Sequence, residues 1–297
     1  MSGSRVVAKV TGAVPSVDGA GVKLRRVFGF SERNTFDPFL LLDHFGSDNP
    51  EDYIAGFPWH PHRGIETVTY LLAGKVAHGD SMGNKGVIGP GDAQWMTAGS
   101  GIIHQEMPEP GADGRRMEGF QLWVNLPAGL KMTAPRYRAV EAAELPRLRK
   151  DGCEIAILAG EFEGKAGATP DLFVPVLYLI LTMERGSRIR IPVPASHNAA
   201  AYVFSGKVGF AGTRIAAESM GHFPASRVAL GADEAWDFVE AEADRETGGS
   251  FLFIAGRPLG EPIAWGGPIV MNTREELRKA FSELDSGTFI RTGPGGV

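Results

Sequence analysis

The sequence predicts a mostly β protein, two similar β-barrels in tandem with one clear helix near the C-terminus. Three observations carry that expectation. Forty glycines and twenty prolines are scattered through the 297 residues rather than clustered, which breaks the chain into many short segments joined by turns. Between the turns lie short runs rich in β-branched and aromatic residues. One of those runs then recurs: "TYLLAGKV" (Thr69–Val76) is matched by "AYVFSGKV" (Ala201–Val208), with Gly, Lys and Val in register.

The strand runs in chain order are Val68–Val76, Gly119–Leu126, Cys153–Phe162, Phe173–Met183, Ser187–Pro194, Ala200–Gly212 and Gly249–Gly256, each bounded by Gly, Pro, Asn or Asp. A second likeness follows the first: "PGDAQWM" from Pro90 resembles "LGADEAWDF" from Leu230, each a Gly/Asp turn leading into a strand with Trp. Two matches in the same order imply two copies of one barrel, with expected domains 1–135 and 136–297. The helix is expected over "NTREELRKAFSELDSG", capped by Asn272 or Thr273 and stopped by Gly287. A further helical stretch is expected within "AVEAAELPRLRK", Ala139–Lys150.

Composition narrows the function classes. Apolar residues at 43% and charged residues at 22% describe a globular chain with ample core. A net charge of −5 and no long Lys/Arg block argue against direct nucleic-acid binding. The N-terminal stretch has no apolar run of the length of a signal peptide's core, and no apolar run in the chain has the length of a membrane span. The single cysteine, Cys153, excludes an internal disulfide framework. The expectation is a cytoplasmic protein.

The chemistry concentrates in two short pairs. His60 and His62 stand one residue apart before a strand, and His104 and Glu106 repeat that gap in "GSGIIHQEMPEP". In a strand, residues i and i+2 share a face, so each pair projects together, and neighbouring strands of a barrel bring the pairs to one point. Three imidazoles and a carboxylate without a thiolate suit Fe(II), Mn(II), Ni(II), Cu(II) or Zn(II), with positions left for exogenous ligands. Turning four polar groups inward without an ion would be expensive. Glu66 shares the parity of His60 and His62; it could be a fifth ligand, a partner of Arg63, or an acceptor that orients a histidine from outside the coordination sphere, and the last is expected ahead of a ligand. His78 is expected to be structural or at the rim, His44 in a packed loop, and His222 receives no role. Carrying the repeat's register back sets His60, His62 and Glu66 opposite Pro192, Pro194 and Asn198, so only the N-terminal copy should hold a metal.

With those residues in view, "FDPFLLLDHFG", "GFPWHPHRGIETVTYLLAGKVAHGDSMG" and "GDAQWMTAGSGIIHQEMP" resemble the pirin family, two-cupin proteins of the cupin superfamily. "GFQLWVNLP" and "FLFIAGRPLGEPIAWGGPIVMNT" extend the likeness over nearly the whole chain. The resemblance implies two cupin (jelly-roll) barrels, Fe2+ in the N-terminal one only, ligands His60, His62, His104 and Glu106, and a structural C-terminal copy. It implies two functions: a quercetin 2,3-dioxygenase-like oxidoreductase opening flavonols with O2, with Glu106 as base, or an iron-binding redox-sensing regulator acting through a protein partner. Phe57, Trp59, Val68, Trp95 and Met96 are the apolar residues expected around an aromatic substrate. Two barrels in one chain make a monomer the expected state.

Overall fold

The computed structural model describes residues 3–109, 116–226 and 235–291. The chain divides into two compact units, Met1–Val14 with Ala143–Pro258, and Pro15–Ala142 with Leu259–Val297. These are not the contiguous halves 1–135 and 136–297. The N-terminal strand Lys9–Gly12 pairs with Ser219–Phe223, and residues 259–291 rejoin the unit that carries His60, His62 and His104.

In that histidine unit, a seven-stranded antiparallel sheet runs in the order Arg136–Val140, Ala93–Thr97, Ile65–Ala73, Met117–Asn125, Phe39–Ser47, Val22–Phe28, Val14–Asp18. A four-stranded sheet, Phe57–His62, Ile102–Glu109, Lys75–Asp80, Lys85–Ile88, packs on it. The other unit repeats the arrangement: Lys9–Gly12, Ser219–Phe223, Asn198–Phe210, Gly249–Gly256, Val176–Met183, Cys153–Ala159, Arg147–Lys150, with Arg188–Pro194 paired to Trp236–Ala243. Antiparallel strands in packed sheets are the jelly-roll arrangement, and the central strands Phe39–Ser47, Ile65–Ala73 and Gly249–Gly256 are buried along most of their length.

This topology refines the repeat. Ile65–Ala73 and Asn198–Phe210 occupy the same place in their sheets, as the first match requires. The second match joins unlike strands. Ala93–Thr97 neighbours Ile65–Ala73, and its positional counterpart is Ser219–Phe223. Trp236–Ala243 instead pairs with Arg188–Pro194, as Ile102–Glu109 pairs with Phe57–His62; the start of that match, near Leu230, lies outside the described residues. The register is also one residue off. Along Arg188–Pro194 burial alternates so that Ile189, Ile191 and Val193 face in, while Pro192 is exposed. The inward positions of this strand are apolar.

The helix spans Arg274–Asp285 with Thr273 as N-cap in a reciprocal capping box with Glu276. Its buried Ala280 packs with Ile269, Met271 and Phe289. The helix expected within Ala139–Lys150 does not form. Arg136–Val140 pairs with Ala93–Thr97, and Arg147–Lys150 pairs with Cys153–Ala159. Pro146, which lacks an N–H, stands between them, after the turn at 142–144.

Candidate metal centre

Strands Phe57–His62 and Ile102–Glu109 lie side by side, with His104 opposite His60 and Ile102 opposite His62. One ligand atom from each of His60, His62 and His104 lies within 4.8 Å of the others. The ring centroids are 4.3 Å apart for His60–His104, 4.9 Å for His60–His62 and 5.1 Å for His62–His104. The one-residue gap in the sequence brought the imidazoles together, as strand alternation requires.

Hydrogen bonds set the tautomers. His60 Nδ1 lies 2.8 Å from the Pro58 carbonyl and His62 Nδ1 3.2 Å from the Pro268 carbonyl. A carbonyl only accepts, so both Nδ1 atoms carry the proton and both Nε2 atoms present lone pairs. Those two Nε2 atoms are 3.1 Å apart, an arrangement that calls for a cation or a shared proton. Burial, aided by His60 and opposed by the Pro268 carbonyl, pushes His62 down to about 3. Burial first, then the imidazoles of His62, His60 and His78, hold His104 well below the usual histidine range. Both ring nitrogens of His104 are buried without a hydrogen-bond partner, an expense that native interiors rarely carry. Neutral imidazoles with lone pairs converging and one wholly unsatisfied ring fit a divalent metal, and the nitrogen-rich set suits Fe, Mn, Ni, Cu or Zn.

Glu106 stands apart from the triad. Its Oε1 accepts from Thr69 Oγ1 at 3.0 Å and from Gln94 Nε2, and its Oε2 accepts from Gln121 Nε2 at 3.2 Å. Thr69, Gln94 and Gln121 belong to the opposing sheet, so the carboxylate is held by three neutral donors across the barrel. The pairing register slips between His104 and Glu106, and such a bulge re-aims the side chain beyond it. A cavity of about 20 Å³ adjoins Glu106, lined in part by Tyr53, Phe57, Val76 and Met117. That is room for a water-sized molecule.

Glu66 goes elsewhere. Its Oε1 accepts from Thr97 Oγ1 at 2.6 Å, with Arg136 3.7 Å away. The parity argument fails at Arg63–Gly64, where Gly64 at φ +79° turns the chain from one sheet into the other. Strand alternation then sends Glu66 to the face opposite Thr69, the residue that reaches Glu106. Burial raises the Glu66 carboxyl, opposed by Thr97 and Arg136. Arg63 pairs with Glu283 rather than Glu66.

Of the apolar residues expected around a substrate, Phe57 borders the cavity, Met96 packs with Ile65 and Ile102, and Trp59 is exposed. Val68 pairs with Trp95 on the Glu66 face. His44 lies in strand Phe39–Ser47, its Nε2 3.2 Å from Glu118. Three neighbours surround the triad, and of these the sequence singles out His78 alone, as structural or at the rim. His78 is buried beside His104, with ring centroids 5.5 Å apart; it stacks on Tyr137 and contacts Asp80 at 3.3 Å. Its one-residue spacing to Asp80 was the available signal. Trp123 meets His62 edge-on with centroids 5.1 Å apart. The Pro268 carbonyl, 206 residues from His62 in sequence, offered no signal at all.

Comparison with known proteins agrees with this architecture. Residues 21–124 match the pirin family profile and residues 178–290 the pirin C-terminal cupin domain. A pirin-like protein of Caulobacter vibrioides is 46% identical, with 96% of this chain and 99% of that protein covered. A Pseudomonas aeruginosa protein named "Putative quercetin 2,3-dioxygenase" is 44% identical over 92% of this chain and 94% of its own length. Among solved structures, a quercetin 2,3-dioxygenase from Acinetobacter baumannii superposes with a TM-score of 0.85 at 32% identity, covering 96% of this chain and 98% of that one.

Proposed function

The chain belongs to the pirin family of two-cupin proteins, and from that premise we propose that it is a metal-dependent oxidoreductase that opens flavonols such as quercetin with O2. The observation that carries the metal is His104, buried with both ring nitrogens unpartnered between two imidazoles whose lone pairs converge. His60, His62 and His104 would hold the ion, with Fe2+ as the metal of choice and Glu106 as a fourth ligand. Bound there, a divalent metal supplies Lewis acidity toward a substrate hydroxyl and a meeting point for substrate and oxygen. The chain's own part is proton handling and exclusion of water. Glu106 takes the proton of the flavonol 3-hydroxyl: the O–H bond breaks, its electron pair stays on the substrate oxygen, and the proton moves to a carboxylate oxygen. Thr69, Gln94 and Gln121 keep that carboxylate in place between turnovers. The related proteins named for quercetin dioxygenase activity support the substrate class.

Relatives named only as pirin or pirin-like proteins support a second reading, a metal-dependent redox sensor that acts through a protein partner. One experiment separates the two. Protein loaded anaerobically with Fe(II) is mixed with quercetin and oxygenated buffer; loss of the flavonol absorbance with stoichiometric carbon monoxide is expected. No turnover of any flavonol at full iron occupancy would remove the enzymatic reading and leave the sensor.

A further inference from the structure

The histidine triad is gripped from outside its own barrel strands. Pro268 supplies the carbonyl that accepts from His62 Nδ1 at 3.2 Å. Val270 N donates to the Arg63 carbonyl at 3.0 Å. Lys131, 1% exposed, spends its three N–H bonds on Gly64 O at 2.9 Å, Val270 O at 3.0 Å and Asn125 Oδ1 at 2.7 Å. A side chain on Gly64 would collide with the Val270 carbonyl. Residues 62–64 are therefore fixed against residues 268–270 by main-chain and lysine bonds that tolerate little displacement.

Arg63 extends the grip to the other ligand strand. Its guanidinium is 2% exposed and donates to the Ser100 carbonyl at 2.7 Å, to Glu283 Oε2 at 2.7 Å and to the Phe289 carbonyl at 2.9 Å, with the Phe289 ring 4.1 Å away. Ser100 lies two residues before the strand that carries His104. The next residue, Gly101, packs so closely that a Cβ there would lie 2.9 Å from the Phe289 carbonyl. One planar fork thus ties the end of the His60/His62 strand, the start of the His104 strand and the C-terminal helix together.

We infer that the C-terminal segment, through Arg63 and its partner Glu283, is a positioning element of the metal centre: it sets the spacing of His62 against His104. The inference rests on the triad binding a metal and adds that distant residues tune how well it does so. Groups that orient metal ligands typically change affinity by about 10- to 100-fold when lost. The test uses the whole chain loaded with Co(II), whose visible bands report ligand geometry without any turnover. Glu283→Ala is expected to shift those bands and raise the Co(II) Kd about tenfold, while Glu283→Gln, which still accepts an N–H from Arg63, recovers most of both. Ala280→Gly, on the same helix, loosens the helix without touching Arg63; it should lower the melting temperature and leave the cobalt spectrum unchanged. Wild-type bands and a Kd within twofold in Glu283→Ala would overturn the inference, as would an equal spectral shift in Ala280→Gly. Wild-type protein that takes up no Co(II), Fe(II) or Zn(II) would overturn the metal reading and this inference with it.

Discussion

The two units place the same pair of strands on the inside and fill them with opposite chemistry. In the histidine unit the small sheet turns in His60, His62, His104 and Glu106, met from across the barrel by Thr69, Gln94 and Gln121. In the other, the corresponding strands turn in Ile189, Ile191, Val193, Val239 and Ala241, which join a continuous apolar core with Phe210, Phe251 and Phe253. The backbone does not require either content. A hydrophobic interior secures its barrel by burial, at about 25 cal/mol for each Å² of apolar surface. The polar interior gives up that stabilisation, leaves both ring nitrogens of His104 without a hydrogen-bond partner, and is maintained by neighbouring hydrogen bonds and the returning C-terminal segment. One barrel is built to be stable and the other to be used.

The contrast is broken most sharply at His104. His104→Leu removes a ligand and also an unsatisfied buried imidazole, so it should abolish metal uptake, at least a 100-fold loss of affinity, while leaving the metal-free protein as stable as wild type or more so. Val239→Ala, on the strand that holds the same sheet position in the other unit, should do the reverse. Metal content stays at wild-type stoichiometry, and stability falls by about 2 kcal/mol as a core cavity opens. Metal analysis and urea unfolding of the two variants decide it. A strongly destabilised His104→Leu protein would mean that the imidazole is a structural member of the core.

A smaller effect is expected at Gln94, whose amide reaches Glu106 and Thr69. Gln94→Leu frees the carboxylate without removing it. Flavonol turnover should fall about tenfold at saturating substrate with metal affinity within threefold of wild type, and kcat, not KM, should carry the loss. A change confined to KM would place Gln94 in substrate binding rather than behind the base.

The contrast also shows what a sequence can reveal. Strand alternation has a period of two, so H-x-H and H-x-E needed only an intact strand to bring His60, His62 and His104 together. The helix was equally readable, because Thr273 and Glu276 cap it locally. Reasoning by parity failed wherever the strand ended. Gly64 breaks the run between His62 and Glu66, and the bulge after His104 turns Glu106 toward Gln94 and Thr69. Ala139–Lys150 has helix-forming composition, yet pairing with Ala93–Thr97 and Cys153–Ala159 claimed its ends for sheets, an instance of tertiary context overriding propensity. The contacts from Pro268, Val270 and Glu283 depend on a chain return over roughly 200 residues, and no local pattern encodes that.

The smallest predicted difference between the units lies in their response to alkali. Burial pushes Lys131 down to about 7, partly offset by Glu261 and Glu276, whereas an unfolded lysine titrates near 10.4. Between pH 7 and about 10 the unfolded chain therefore holds a proton that the folded histidine unit has released. Stability rises with pH wherever the unfolded state binds more protons, by up to about 1.4 kcal/mol per pH unit for one group. That unit should thus gain stability relative to the other from pH 7 to 9, and lose that gain again as pH falls back toward 7. Hydrogen exchange, corrected for intrinsic rates, can be read at Val68 in one core and Phe253 in the other. Lys131→Met should flatten the slope at Val68, lower its protection through lost hydrogen bonds (three where the ammonium is present and at most two once it is deprotonated), and leave Phe253 as it was. A slope at Val68 that survives the substitution would trace it to another group and leave Lys131 charged throughout, a fixed clamp on residues 64 and 270 at every pH.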